Sequence, residues 1–170
     1  LLLADSGASS SGRCGALGIL PLVQRCVVAS PPHAVRLSAQ WVIARSSNSS
    51  AAHFAATELQ QNLSATHGLH LSVIDTASLV ASGRRRFIAV GALDTDPALA
   101  TIARAAGLNV TAATLAHIAP EGYRLALHSD AVFLLGSAPA GTFYAVQSFM
   151  QMADALGPSS LPAVAIQDWP

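Results

Sequence analysis

From Glu121 to Pro170 the chain reads as a hairpin, a long helix and a final strand, and this order constrains the fold more than any other stretch. Tyr123 to His128 and Ala131 to Gly136 alternate in apolar character around Ser129-Asp130, the pattern of two antiparallel strands joined by a tight turn. On the first arm Tyr123, Leu125 and Leu127 share one face, while Arg124, Ala126 and His128 share the other. One apolar and one mixed face suits an antiparallel edge region packed on helices. Pro139 to Ala155 then sets Phe143, Val146, Met150 and Ala153 along one helical stripe, which Gly157-Pro158 ends. Ala163 to Gln167 is the last strand, followed at once by Asp168-Trp169-Pro170.

Upstream, the folded part is expected to start near Val35. Gln40 to Ala44 reads as a short apolar strand. Ala51 to about Thr66 is helical, with Phe54, Ala55, Leu59 and Leu63 on one face. Ser49 or Ser50 caps its start, and Gly68 stands where a left-handed residue is wanted. Leu69 to Ile74 alternates, so strand, helix and strand form a βαβ unit with parallel strands and a right-handed crossover. Thr76 to Arg85 reads as a polar connection. Arg86 to Gly91 has too little alternation for a half-exposed strand and belongs in the middle of the sheet. Asp96-Pro97 opens another helix, ending near Gly107, and Leu108 to Pro120 reads as irregular. The expected fold class is α+β: a mixed β-sheet with its long helices packed on one face, leaving the other face for a partner.

With 170 residues the chain is ample for one domain and short for two. Nine basic residues balance nine acidic ones, so no long-range field draws nucleic acid or a membrane surface. All nine basic residues are arginine, which excludes a P-loop lysine, a Schiff base and a lysine general base. The greasiest run, Cys14 to Val23, is broken by Gly15, Gly18 and Pro21 and falls short of the roughly 18 apolar residues of a spanning helix. Residues 1–32 are expected to be a poorly ordered leader or a signal-like segment, with residues 33–170 forming the domain. Cys14 and Cys26 could close a small loop in an oxidising compartment, or be two unpaired thiols in that leader.

Candidate chemistry is thin. Asp94 and Asp96 form a carboxylate pair by spacing, but Asp96 reads as a helix cap and Asp94 as its loop neighbour. His67 and His70 have an i, i+3 spacing, yet Gly68 breaks the helix between them and they share no helical face. Arg84-Arg85-Arg86 could meet an anion, although no aromatic or glycine-rich cradle accompanies it, and it reads as a solvated loop. Glu121 and Asp130 lie at opposite ends of the hairpin's first arm. There is no G-x-S-x-G elbow, H-E-x-x-H, paired C-x-x-C or G-x-G-x-x-G. No residue is assigned a catalytic, cofactor-binding or metal-binding role. Three N-x-S/T sequons, at Asn48, Asn62 and Asn109, are candidate N-glycosylation sites, with Asn62 partly covered between Leu59 and Leu63. They favour a secreted or lysosomal protein.

The last fifty residues resemble the end of the small domain that precedes the barrel in β-N-acetylhexosaminidases, the family 20 glycoside hydrolases. That family's E-G-Y hairpin start matches Glu121-Gly122-Tyr123. Its A-G-x-x-Y/F-x-x-Q helix matches Ala140-Gly141-Thr142-Phe143-Tyr144-Ala145-Val146-Gln147, and its Asp-x-Pro strand end matches Asp168-Trp169-Pro170. Ala56-Thr57-Glu58-Leu59-Gln60 resembles the family's A-x-E-L-Q segment. The likeness runs from about Val35 to Pro170. Similar domains precede the barrel in family 84 enzymes of the O-GlcNAcase and hyaluronidase-like group, and occur in α-glucuronidases.

The resemblance implies an enzyme that removes terminal N-acetylhexosamine by substrate-assisted retention, an exception to the two-carboxylate scheme, with no cofactor. Both catalytic acids of that family sit in the barrel, which is expected to lie outside this chain. The implied partner is therefore the (β/α)8 barrel of the full-length protein, with the glycan engaged only through it. A stand-alone carbohydrate-binding or scaffolding module is the rival. It would need an exposed aromatic platform, and most aromatic residues here are assigned to core faces.

Overall fold

Helix and strand periods alternate along the chain, and each apolar face finds cover in one of two cores. The computed structural model describes residues 14–169 except 109, 112, 113 and 116. A 3-10 turn (Gly15–Leu17) leads to β1 (Arg25–Val28), β2 (Ala34–Val35), β3 (Val42–Arg45), α1 (Ser50–His67) and β4 (Ser72–Asp75). Then come α2 (Thr76–Ser82), β5 (Phe87–Gly91), α3 (Pro97–Ala105), β6 (Tyr123–His128), β7 (Ala131–Gly136), α4 (Pro139–Leu156), β8 (Leu161–Pro162) and β9 (Val164–Asp168). The main sheet runs β1-β9-β6-β7-β5-β3-β4, and β2 and β8 form a separate two-stranded ladder. β4, β3, β5 and β7 are mutually parallel, while β6 is antiparallel to β7 and to β9. The class is α+β with a mixed sheet, as the sequence implies.

α1 begins where Ser49 Oγ accepts the Ala52 N–H at 3.1 Å. It ends at Gly68, whose φ of 66° is left-handed and whose N–H reaches the Leu63 and Ser64 carbonyls. Its Ala55, Leu59 and Leu63 are fully buried against the sheet, together with Val146, Phe149 and Ala153 of α4. Ile43, Ile88, Val132 and Leu134 form the sheet side of this first core. The residues between them in each strand, such as Ala44, Ala89 and Phe133, face a second core.

Three features depart from the sequence reading. The boundary drawn between residues 32 and 33 falls inside the fold. β1 joins the main sheet through β9, and Cys14 and Cys26 form a disulfide. The pairing partner of β1 lies at the far end of the chain, so no local pattern announces it. Next, the polar connection contains α2, a short helix that buries Leu79. Finally, the sheet's second face is not bare: α2 and α3 cover it over β3, β5 and β7. The chain must return from β4 to β5 past β3, and α1 already occupies the first face, so this return uses the other one.

Candidate functional site

Two of the resemblance motifs, Glu121-Gly122-Tyr123 and the Ala140-Gly141 start of α4, meet at the N-terminal end of α4. Gly122, Gly136 and Gly141 are packed so closely that a Cβ on Gly141 would overlap the Gly122 carbonyl, and one on Gly136 would overlap the Thr142 backbone. The Gly122 oxygen accepts the Ser137 N–H at 3.0 Å, and Ser137 Oγ donates to Ala119 O at 2.7 Å. Tyr123, which follows Gly122, is buried with its hydroxyl 2.6 Å from Ser148 Oγ on α4. It is paired across the ladder with Asp168. Burial pushes its hydroxyl far above the usual tyrosine range, with the Asp168 carboxylate adding in the same direction and the Ser148 bond opposing. These residues lock the hairpin, helix and last strand together. They form a closely packed structural joint.

Exposed aromatic surface is gathered elsewhere, on the outer side of the two long helices. Phe54 of α1 is 55% exposed and Tyr144 of α4 is 43% exposed, with Phe143 half-buried between them. The Phe54 and Phe143 rings are 5.9 Å apart, and those of Phe143 and Tyr144 are 6.1 Å apart, within the range of interacting aromatic pairs. At the opposite ends of the same helices His67 Nε2 meets Asp154 Oδ1 at 2.9 Å. Contacts at both matching ends show that α1 and α4 run side by side in the same direction. The sequence stripe had put Phe54 and Phe143 among the buried positions. The buried face of α1 is instead centred on Ala55 and Leu59, which turns Phe54 outward.

The other candidates are dispersed. Asp96 caps α3, with Oδ1 accepting the Leu99 N–H at 3.0 Å and Oδ2 accepting the Thr76 hydroxyl at 2.7 Å, whereas Asp94 is exposed. His70 bonds to Ser64 Oγ at 2.7 Å and His67 to Asp154, so the two histidines have separate partners. Arg84 and Arg85 are exposed, and Arg86 contacts Gln40 and lies 3.8 Å from Asp130. Glu121 and Asp130 flank the six residues of β6, on the order of 20 Å of strand, too far apart to act as a pair. Among the described residues no group of three or more His, Cys, Asp or Glu could hold a metal ion. No described helix is long and apolar enough to cross a membrane. An open groove of about 480 Å³ beside α1 is lined by Gln60, Gln61, Ser64, Ala65, His70 and Leu71, among others. Two of its polar groups are already committed: Gln60 Nε2 donates to Leu71 O, and Ser64 bonds to His70. Asn48 is exposed in the turn before α1. Asn62 lies within α1 with its Oδ1 buried and unpartnered, and Asn109 lies outside the described residues.

The fold and its glycine joint define a closely packed α+β domain with a mixed sheet, and comparison with known proteins gives its family. The chain matches the family model "Glycosyl hydrolase family 20, domain 2" over residues 16–169, and it belongs to that family. A search of curated protein sequences returns no significant match. Among solved structures, the fold is shared with CpGH84D at a TM-score of 0.64 and 12% identity, covering 89% of this chain and 23% of that one. It is shared with the GH20 β-N-acetylhexosaminidase of Streptomyces coelicolor A3(2) at 0.63 and 18%, covering 91% and 27%. The Streptomyces plicatus N-acetyl-β-hexosaminidase gives 0.60 and 18%, covering 91% and 26%. The chain thus spans about a quarter of the length of these structures.

Proposed function

We propose that the chain is the accessory domain of a β-N-acetylhexosaminidase, docking on a catalytic barrel of the same protein through the outer face of α1 and α4. Membership of family 20, domain 2, supports the first part. The cluster of Phe54, Phe143 and Tyr144 carries the second. Exposed aromatic residues gathered in one place mark an interaction surface, because their burial on association contributes far more than that of scattered apolar side chains. On this reading the partner sits on the helix side and not on the free part of the sheet. The glycan is engaged only through the barrel, and no residue of this chain acts in catalysis.

Extending the transcript beyond Pro170 and assaying its product on an aryl β-N-acetylglucosaminide tests this reading. A barrel with an adjacent Asp-Glu pair and hydrolysis of that substrate would support it. Two adjacent aspartates would move the protein to the family 84 side, where CpGH84D shares the fold. A frame that closes without a barrel would overturn it.

The same aromatic cluster is the platform that a carbohydrate-binding module would need. That second reading predicts saturable binding of chitooligosaccharide, lost in Tyr144→Ser. We further propose passage through an oxidising, secretory compartment, supported by the Cys14–Cys26 disulfide. Of the two described sequons, Asn48 is then the better placed to carry a glycan; a mass decrease of the secreted protein on Asn48→Gln tests it.

A further inference from the structure

Residues 14–33 form a strap with two anchor points. The first is the 3-10 turn together with residues 18–20. Leu17 and Ile19 are buried in the first core, and Gly18, at φ 73°, lies against Ala155 of α4 with no room for a side chain. The Leu20 N–H donates to Gln151 Oε1 at 2.8 Å. The second anchor is β1, an edge strand in four-residue register with β9. Beside it the Gln24 N–H donates to Asp168 Oδ1 at 3.0 Å, and the Arg25 guanidinium lies 5.5 Å over the Trp169 ring. The Cys14–Cys26 disulfide, at a sequence separation of 12, joins the two anchors.

We propose that this disulfide is a redox latch. Oxidised, it keeps the strap seated on α4 and β9; reduced, it lets the strap leave while the rest of the sheet persists. The asymmetry comes from topology. Among the described residues β1 pairs with β9 alone, whereas β9 keeps its ladder with β6 when β1 departs. With the loop closed, the undocked strap has few conformations to gain, so opening is unfavourable. With the loop open it gains many. A dithiol reductant such as dithiothreitol supplies the two electrons. Its thiolate attacks one sulfur to give a mixed disulfide, its second thiolate closes the reductant's ring, and the protein is left with two thiols. Release uncovers Asp168 and Trp169 and turns β9 into an unpaired edge. The inference goes beyond the docking reading and does not depend on it.

Hydrogen–deuterium exchange of the full chain, oxidised and after dithiothreitol, tests the latch. The amides of β1, and those of β9 that face it, should exchange roughly a hundredfold faster after reduction, the order implied by a closed loop of this length. Those of β3, β5 and β7 should be unchanged. The Cys14→Ser/Cys26→Ser variant without reductant should give the same pattern, separating the latch from any other effect of the reagent. Equal protection of β1 in both states would overturn the proposal. So would a uniform loss over every strand, which would make the disulfide a staple of the whole domain.

Discussion

Gly122 and Gly141 meet backbone to backbone, with the Gly122 carbonyl occupying the space where a Cβ of Gly141 would stand. Two short motifs, one opening the hairpin and one opening α4, are therefore two halves of a single contact. Gly141→Ala must push backbone against backbone and should destabilise the domain by about 3 kcal/mol, at the upper end of overpacking costs. Gly15→Ala, with open space around it, should change stability by less than about 0.5 kcal/mol. Chemical denaturation of the two variants beside the parent checks the contrast.

Tyr123→Phe leaves Ser148 Oγ buried without its partner and should cost about 1–2 kcal/mol. The tyrosine also shapes the alkaline limit. Its folded-state ionisation is raised, so the folded chain holds the proton that the unfolded chain releases above pH 10, the ordinary tyrosine value. Its contribution is intact below that pH and lost as pH rises further. The phenylalanine variant should show a flatter decline in stability above pH 10 in denaturation curves taken at several pH values.

His128 sets an opposite dependence. Burial pushes its imidazole below the ordinary 6.5, so the folded chain prefers it neutral. Its contribution is present above pH 6.5 and is lost as pH falls through the lowered value. His128→Gln should flatten the fall in stability between neutral pH and pH 5, measured by thermal unfolding across that range.

Asp96 holds α3 and the first residue of α2 at once, through Leu99 and Thr76. Asp96→Ala removes the cap and strands a buried hydroxyl, for a combined cost of about 2–3 kcal/mol. Asp96→Asn keeps an oxygen for the cap and an amide for Thr76, and should cost less than half of that by the same measurement.

Several elements were legible because their signals are local. α1 and α4 declare themselves through apolar spacing and through Ser49, Gly68 and Pro139, and the β6–β7 hairpin through alternation about Ser129-Asp130. β1 was not legible, since its pairing energy comes from β9 at the other end of the chain. α2 escaped because seven residues rich in Ser, Thr and Ala carry little periodic signal around Leu79. The aromatic cluster was missed for another reason. Phe54 lies one residue from the buried Ala55, and which of them faces the sheet is decided by packing against α4 rather than by spacing.

The most direct measurement of the central claim is hydroxyl-radical footprinting of Phe54, Phe143 and Tyr144 in two forms, this chain alone and the same chain continued into its barrel. Docking through the helix face predicts that Phe54 and Tyr144 react freely and Phe143 partly in the first form, and that all three are shielded in the second. Equal labelling of the three rings in both forms would contradict it.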